Sequence, residues 1–227
     1  MGNMSDKNKT NTITKISVNR QQALADGIFA VAMTLMVLQL TVPIVTGLDI
    51  NHRLTLELLN MWPMVVSYFL SFFIVGMYWL IHHFIFDNIK YYDSTLAWLN
   101  ILFLVFVSLI PFTTSLMGRY FLQKTSTIVY GFQLLIMFFL GFSLWSYATG
   151  KKNLVDSSVE VTVIKGAKTM GYIYFIIMIF AIAFGFIMPL VSVFTYGLIV
   201  ILFIIFTSIG KPEKVIIWST NKKKESK

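Results

Sequence analysis

Long apolar stretches separated by short polar links dominate this sequence. A membrane-spanning helix needs roughly 20 mostly apolar residues. Six stretches qualify: Gln22–Val45, Leu56–Phe86, Thr95–Gly118, Ser126–Thr149, Lys168–Ile187 and Pro189–Gly210. The last two meet at Met188–Pro189 with no charge nearby. Read as one helix of about forty residues they would overshoot a bilayer. A tight turn with proline at the first position of a new helix fits better. The pattern predicts an all-α membrane protein with six transmembrane helices over residues 20–210. A polar N-terminus, 1–19, and a basic tail, 211–227, flank them.

Composition supports this reading and removes others. Of the 227 residues 57% are hydrophobic and 12% charged, whereas soluble domains run at about 45–50% and about 25%. The absence of cysteine rules out disulfides, thiol catalysis and cysteine metal sites. The opening residues lack the apolar core of a signal peptide. The start MGNMSD only loosely resembles a myristoylation site, because Ser5 lies one position early.

The net charge of +8 would suggest nucleic acid in a soluble protein. Here the charges lie in loops and tails, which gives them a topological meaning. With the N-terminus inside, only Arg53, Arg119 and Lys124 fall outside, and every other lysine and arginine falls inside. Both termini are therefore expected to be cytoplasmic, with the tail NKKKESK near anionic lipid.

Helix one departs from its neighbours. It carries Gln21, Gln22, Asp26, Thr34, Gln39 and Thr41. An ionisable group within a span costs about 2.5–3.5 kcal/mol on insertion scales and faces protein or water. At 100° per residue Arg20 and Asp26 lie about 120° apart, so each must look to another helix. The candidates are His82 and His83 at the inner end of helix two and Asn100 early in helix three. These residues predict a polar cluster joining the first three helices.

With Thr34 as reference, Ala23, Gly27, Ala30, Val31, Leu38 and Thr41 fall within about 60° around the axis. Asp26 lies about 80° off this face, and Phe29 and Gln39 point largely away. A stripe of Val31, Thr34 and Leu38 suits ordinary helix packing. It also suits a pore wall, narrow and apolar with one ring of hydroxyls, since apolar constrictions gate by dewetting and hydroxyls replace part of an ion's water shell.

The segment RQQALADGIFAVAMTLMVLQL resembles the opening helix of the transmembrane protein 175 family, the lysosomal potassium channels and their bacterial relatives. That family's signature is Arg-x-x-x-Phe-Ser-Asp. Arg20 and Asp26 match it, while Leu24 and Ala25 stand where phenylalanine and serine are expected. YWLIHHFIF, LNILFLVFVSLIPFTTSLMGRY and VYGFQLLIMFFLGFSLWSYA are similar to the family's next three helices. The fifth and sixth helices match mainly in hydropathy.

The resemblance implies a potassium-preferring cation channel. The family's animal members carry two six-helix repeats and dimerise, whereas its bacterial members carry one and form tetramers. A single set of six helices resembles the bacterial form, which implies a homotetramer in the bacterial plasma membrane, with K+ and other monovalent cations permeating and no cofactor. The first helix lines the family's pore, and its branched apolar constriction falls by alignment on Val31, Thr34 and Leu38. The family's arginine, aspartate and histidine knit helix one to its neighbours. That role falls on Arg20, Asp26, His82 and His83, with Asn100 beside them. Ala25 cannot hydrogen-bond as serine would, which implies a thinner network.

Other motifs are weaker. Adjacent helical residues point about 100° apart, so His82 and His83 cannot readily share a metal, and Asp87 alone does not complete a four-ligand site. Pro111 predicts a kink in helix three, with Thr113 and Thr114 placed to satisfy freed carbonyls. Trp62, Tyr91, Tyr92, Trp98, Tyr120, Trp145 and Tyr147 lie near span ends, as interfacial aromatics do. No nucleotide-binding glycine loop, no nucleophilic triad and no Thr-Val-Gly-Tyr-Gly filter is present. TVPIVTG has proline where such a filter needs glycine. The expected protein is not an enzyme. Two rival readings remain: a proton- or sodium-coupled transporter using Asp26, and a non-conducting membrane scaffold.

Overall fold

The structure, a computed structural model, describes residues 4–150 and 154–209. Among them the chain forms α1 (Met4–Val37), α2 (Ile50–Asn60), α3 (Trp62–Asp87), α4 (Ser94–Ser108), α5 (Ile110–Arg119), α6 (Lys124–Gly150), α7 (Val161–Ile187) and α8 (Pro189–Ile209). The predicted basic tail, 211–227, and Lys151 and Lys152 of the link between α6 and α7 lie outside the described residues.

Five helical stretches are long and apolar enough to cross a membrane: α3, α4 with α5, α6, α7 and α8. Their mean hydropathy runs from 1.9 to 2.6. The first predicted span is not among them. It was expected over Gln22–Val45, but α1 stops at Val37. Its last turn tightens into i to i−3 bonds, from Leu38, Gln39 and Leu40 back to Leu35, Met36 and Val37. The chain then leaves the helix before Pro43, and the apolar LTVPIV run that extended the expectation is loop. From Leu24 to Val37 the apolar part of α1 is roughly 21 Å long at 1.5 Å per residue. That is short of a hydrocarbon core of about 30 Å.

Two further expectations shift. The stretch expected to span from Leu56 is divided: α2 ends at Asn60 and α3 starts at Trp62, with Pro63 in its first turn. Proline suits that position because the amide it lacks would be unpaired there anyway. The third predicted span is broken at Leu109 into α4 and α5, with Pro111 opening α5. Thr113 donates to the Ile110 carbonyl at 3.2 Å rather than to the Val107 carbonyl, which loses its i+4 partner to the proline. Thr114 instead points at the Met36 sulfur of α1, 3.7 Å away. The carbonyl of Phe106, beside the break, is met by the Gln133 amide of α6.

The helices pack around α6, which touches α3, α4, α5, α7 and α8, while α1 lies against α3, α4 and α5. Close approach of α8 to α6 depends on Gly131. A Cβ there would come within 2.9 Å of Ile182 Cγ1 and collide with the Tyr196 hydroxyl. Tyr196 is fully buried and donates to the Thr127 carbonyl at 3.2 Å. The buried hydroxyls of Ser71 and Tyr130 pair at 2.9 Å, and Tyr78 donates to the Leu134 carbonyl at 2.7 Å. Hydrogen bonds of this kind fix helix register where lipid offers no alternative partner.

One end of the bundle gathers the α3–α4 and α6–α7 links. Asp93 caps α4 by accepting from the Leu96 amide at 2.9 Å, and it also accepts from the Tyr147 hydroxyl of α6 at 2.7 Å. Beside it the two links pair as an antiparallel bridge between Ile89 and Val155.

Candidate functional site

A buried ridge of Ala25, Phe29, Ala32 and Met36, each at most 2% exposed, fixes how α1 sits. Their spacing of four, three and four keeps them on one side of the helix. At 100° per residue that side lies about 140–180° from Thr34. The stripe singled out from the sequence therefore faces outward from the helix bundle. Val31 is 55% exposed and Leu38 70%, and Ala23, Gly27, Ala30 and Thr34 are exposed with them. Leu38 sits in the tightened turn just past the helix end rather than within the helix.

Thr34 Oγ1 donates to the carbonyls of Ala30 at 3.0 Å and Val31 at 2.9 Å. Its proton is thereby committed to its own helix. The hydroxyl oxygen keeps lone pairs to offer outward, and it sits between two aliphatic residues.

Three polar ties hold the other end of α1. His82 Nε2 and Asn100 Oδ1 lie 2.8 Å apart, and Asn100 Nδ2 donates to Gln21 Oε1 at 3.2 Å. This chain joins α3, α4 and α1. His82 is held flat between Phe86 and Phe103, with ring centroids 4.4 and 5.5 Å away. One turn nearer the middle of the bundle, the indole of Trp79 donates to Asp26 Oδ1 at 2.8 Å. The third tie runs from Gln22 Nε2 to Asp87 Oδ1 at 3.0 Å, with His83 Nε2 3.9 Å from the other Asp87 oxygen.

The residues expected to form one network are thus distributed. His82 and Asn100 meet directly. Asp26 takes Trp79 rather than either histidine or Asn100, and His83 turns to Asp87. Arg20 is exposed, with no side-chain hydrogen bond or ion pair among the described residues. Its azimuth lies about 40° from that of Thr34, on the outward face. The partners missed from the sequence are Gln21, Gln22, Trp79 and Asp87. Trp79, His82, His83, Phe86 and Asp87 repeat at three and four along α3, and that spacing was the available signal.

No group of three or more histidines and carboxylates that could hold a metal occurs among the described residues.

The chain is similar in sequence and fold to known proteins. Residues 20–111 match the sequence profile of the family described as the endosomal/lysosomal potassium channel TMEM175. A potassium channel of Streptomyces collinus is 30% identical over 146 residues, 62% of this chain and 69% of the relative. The endosomal/lysosomal proton channel TMEM175 of Gallus gallus is 28% identical over 143 residues, 59% of this chain and 28% of that protein. The crystal structure of a lysosomal potassium-selective channel TMEM175 homolog from Chamaesiphon minutus matches with a TM-score of 0.72 at 26% identity. That match covers 83% of this chain and 97% of the other. With apolar helices suited to a bilayer, a matched segment that begins midway along α1, and a shared fold over most of its length, this chain is a multi-pass membrane protein of the TMEM175 family.

Proposed function

We propose that the protein is a passive, potassium-preferring cation channel in the bacterial plasma membrane. In this reading four copies surround a central pore, each contributing the outward face of α1. α1, completed beyond Val37 by the loop that follows it, is the sixth crossing beside the five spanning helices, both termini are cytoplasmic, and K+ is the permeant ion with no cofactor.

The observation that carries this reading is α1 itself. It is packed on one side by a buried ridge and open on the other, with an apolar length shorter than the hydrocarbon core and Asp26 on its flank. Such a helix needs protein or water on its open side. A cyclic assembly around that side supplies both. Relatives named potassium channel and potassium-selective channel support the choice of ion.

Mechanistically, Val31 and Leu38 form the apolar narrowing. A hydrated ion passes such a constriction at a desolvation cost, and Thr34 offsets part of it. Because the Thr34 proton is held by the backbone, four hydroxyl oxygens present acceptor character to the pore. This favours cations over anions. It selects among cations by the ease of partial dehydration, in which K+ loses less than Na+.

The chicken relative is named a proton channel, which supports proton permeation as a second reading. A planar-bilayer recording separates the two. With K+ on one side, Na+ on the other and equal pH, a reversal potential shifted toward the K+ equilibrium supports the first. A reversal potential that ignores K+ and follows an imposed pH difference supports the second and refutes the first.

A further inference from the structure

The link between α6 and α7 pairs with the link between α3 and α4 as a short antiparallel clasp. Asp156 donates its amide to the Asn88 carbonyl at 3.1 Å, and Lys90 donates to the Leu154 carbonyl at 2.7 Å. The Tyr91 amide adds a second bond to Leu154 at 3.2 Å. Ile89 and Leu154 are buried at this junction.

The clasp lies next to two of the ties on α1. Asn88 and Ile89 directly follow Asp87, which holds Gln22. At the end of α6, Tyr147 holds Asp93, the cap of α4, and α4 carries Asn100, which holds Gln21. Both glutamines at this end of α1 are therefore connected through short covalent runs to the α6–α7 link and the end of α6. The third tie, Trp79 to Asp26, lies on α3 more than two turns before the clasp.

We propose that this clasp is a positioning clamp on the inner end of the pore helix, closed while the channel conducts, which sets how long the conducting arrangement lasts. The inference rests on the channel reading above. Asn88, Leu154 and Asp156 are positioning residues in this account. They touch no ion and act through Asp87 and Asp93.

The chain contains no cysteine, so the clasp can be locked selectively. Ile89 and Val155 are the directly opposed pair that does not exchange hydrogen bonds with each other. Their Cα atoms should lie about 4.5 Å apart, within disulfide range. The test is single-channel recording of I89C/V155C, oxidised and reduced, with maleimide labelling to measure bridge formation. Asp156→Pro is the opposing variant, removing the amide that bonds Asn88.

The oxidised pair is expected to conduct with wild-type unitary current and open times at least as long as wild type. Asp156→Pro should lower the ratio of open to closed time by about fivefold, the net worth of one hydrogen bond, with unitary current unchanged. The same substitution in the oxidised pair should recover wild-type open times, which separates loss of the clasp from misfolding. Silence of the oxidised pair that reductant reverses would mean the clasp must open, and would overturn the proposal. So would unchanged open times in Asp156→Pro, or no recovery on bridging. A wild-type protein that carries no current while its cysteine pair still bridges would count against the channel reading instead.

Discussion

Replacing Asn100 with leucine removes the junction between α1, α3 and α4 while nearly preserving side-chain volume. Asn100 is fully buried and makes two bonds, to His82 and to Gln21. The two partners are affected differently. Gln21 is half-buried and can turn toward water. His82 is 3% exposed and stacked between Phe86 and Phe103, so its Nε2 has nowhere else to go. A buried polar group left unpaired costs about 1–3 kcal/mol, while interhelical bonds in membrane proteins average about 0.6 kcal/mol with a maximum near 1.7. A loss of about 1–2 kcal/mol follows.

At about 2–4 °C per kcal/mol for a chain of this size, the midpoint should fall by about 2–8 °C. Thermal unfolding in detergent, followed by size-exclusion fluorescence, reads this directly. The second arm is decisive. His82→Phe would place its ring between the stacked Phe86 and Phe103 and beside the tilted Phe29. His82→Phe combined with Asn100→Leu removes both partners and the orphan with them, so the double variant should be more stable than Asn100→Leu alone. If Asn100→Leu unfolds within 1 °C of wild type, or the double variant is less stable than the single, the bond between His82 and Asn100 does not hold these helices as described.

Three further expectations concern the proposed pore face and the core. Leu38→Ala widens the proposed narrowing and should raise unitary conductance or reduce discrimination between K+ and Na+ in bi-ionic recordings; if neither changes, the stripe is misassigned. Thr34→Val keeps the shape but removes the oxygen, so conductance should drop several-fold while Thr34→Ser stays near wild type, and equal currents from both variants would dismiss the hydroxyl ring. Gly131→Ala forces a Cβ against Ile182 and Tyr196, so it should destabilise the α6–α8 contact by about 1–3 kcal/mol; thermal unfolding that matches wild type would show that this contact has room to move.

Much of the fold was legible because hydropathy and proline act locally. Of the six spans that the apolar runs marked, the last five are helices suited to a bilayer, and Pro189 marked the turn between α7 and α8. The end of α1 was not legible in the same way. Leu40 to Val45 is as apolar as a helix interior, and what ends α1 is a tightened turn whose Gln39 amide reaches the Pro111 carbonyl on α5. That partner is 72 residues away.

The site divides along the same line. His82 and Asn100 stood out because polar residues are rare in such helices. Trp79 carries no charge and reads as one more aromatic of an aromatic-rich helix, so its indole donor to Asp26 became visible only when α1 and α3 were placed together. The clasp is built from backbone amides and carbonyls, which every sequence carries, and so left no signal at all.

The central claim is that one face of α1 lines the conducting path. Single cysteines placed along α1 in this cysteine-free chain, exposed to a charged thiol reagent during recording, test it most directly. The account predicts modification and block at positions 31, 34 and 38, and no effect at 25, 29, 32 and 36. Block that follows the second set, or that shows no helical period, would contradict it.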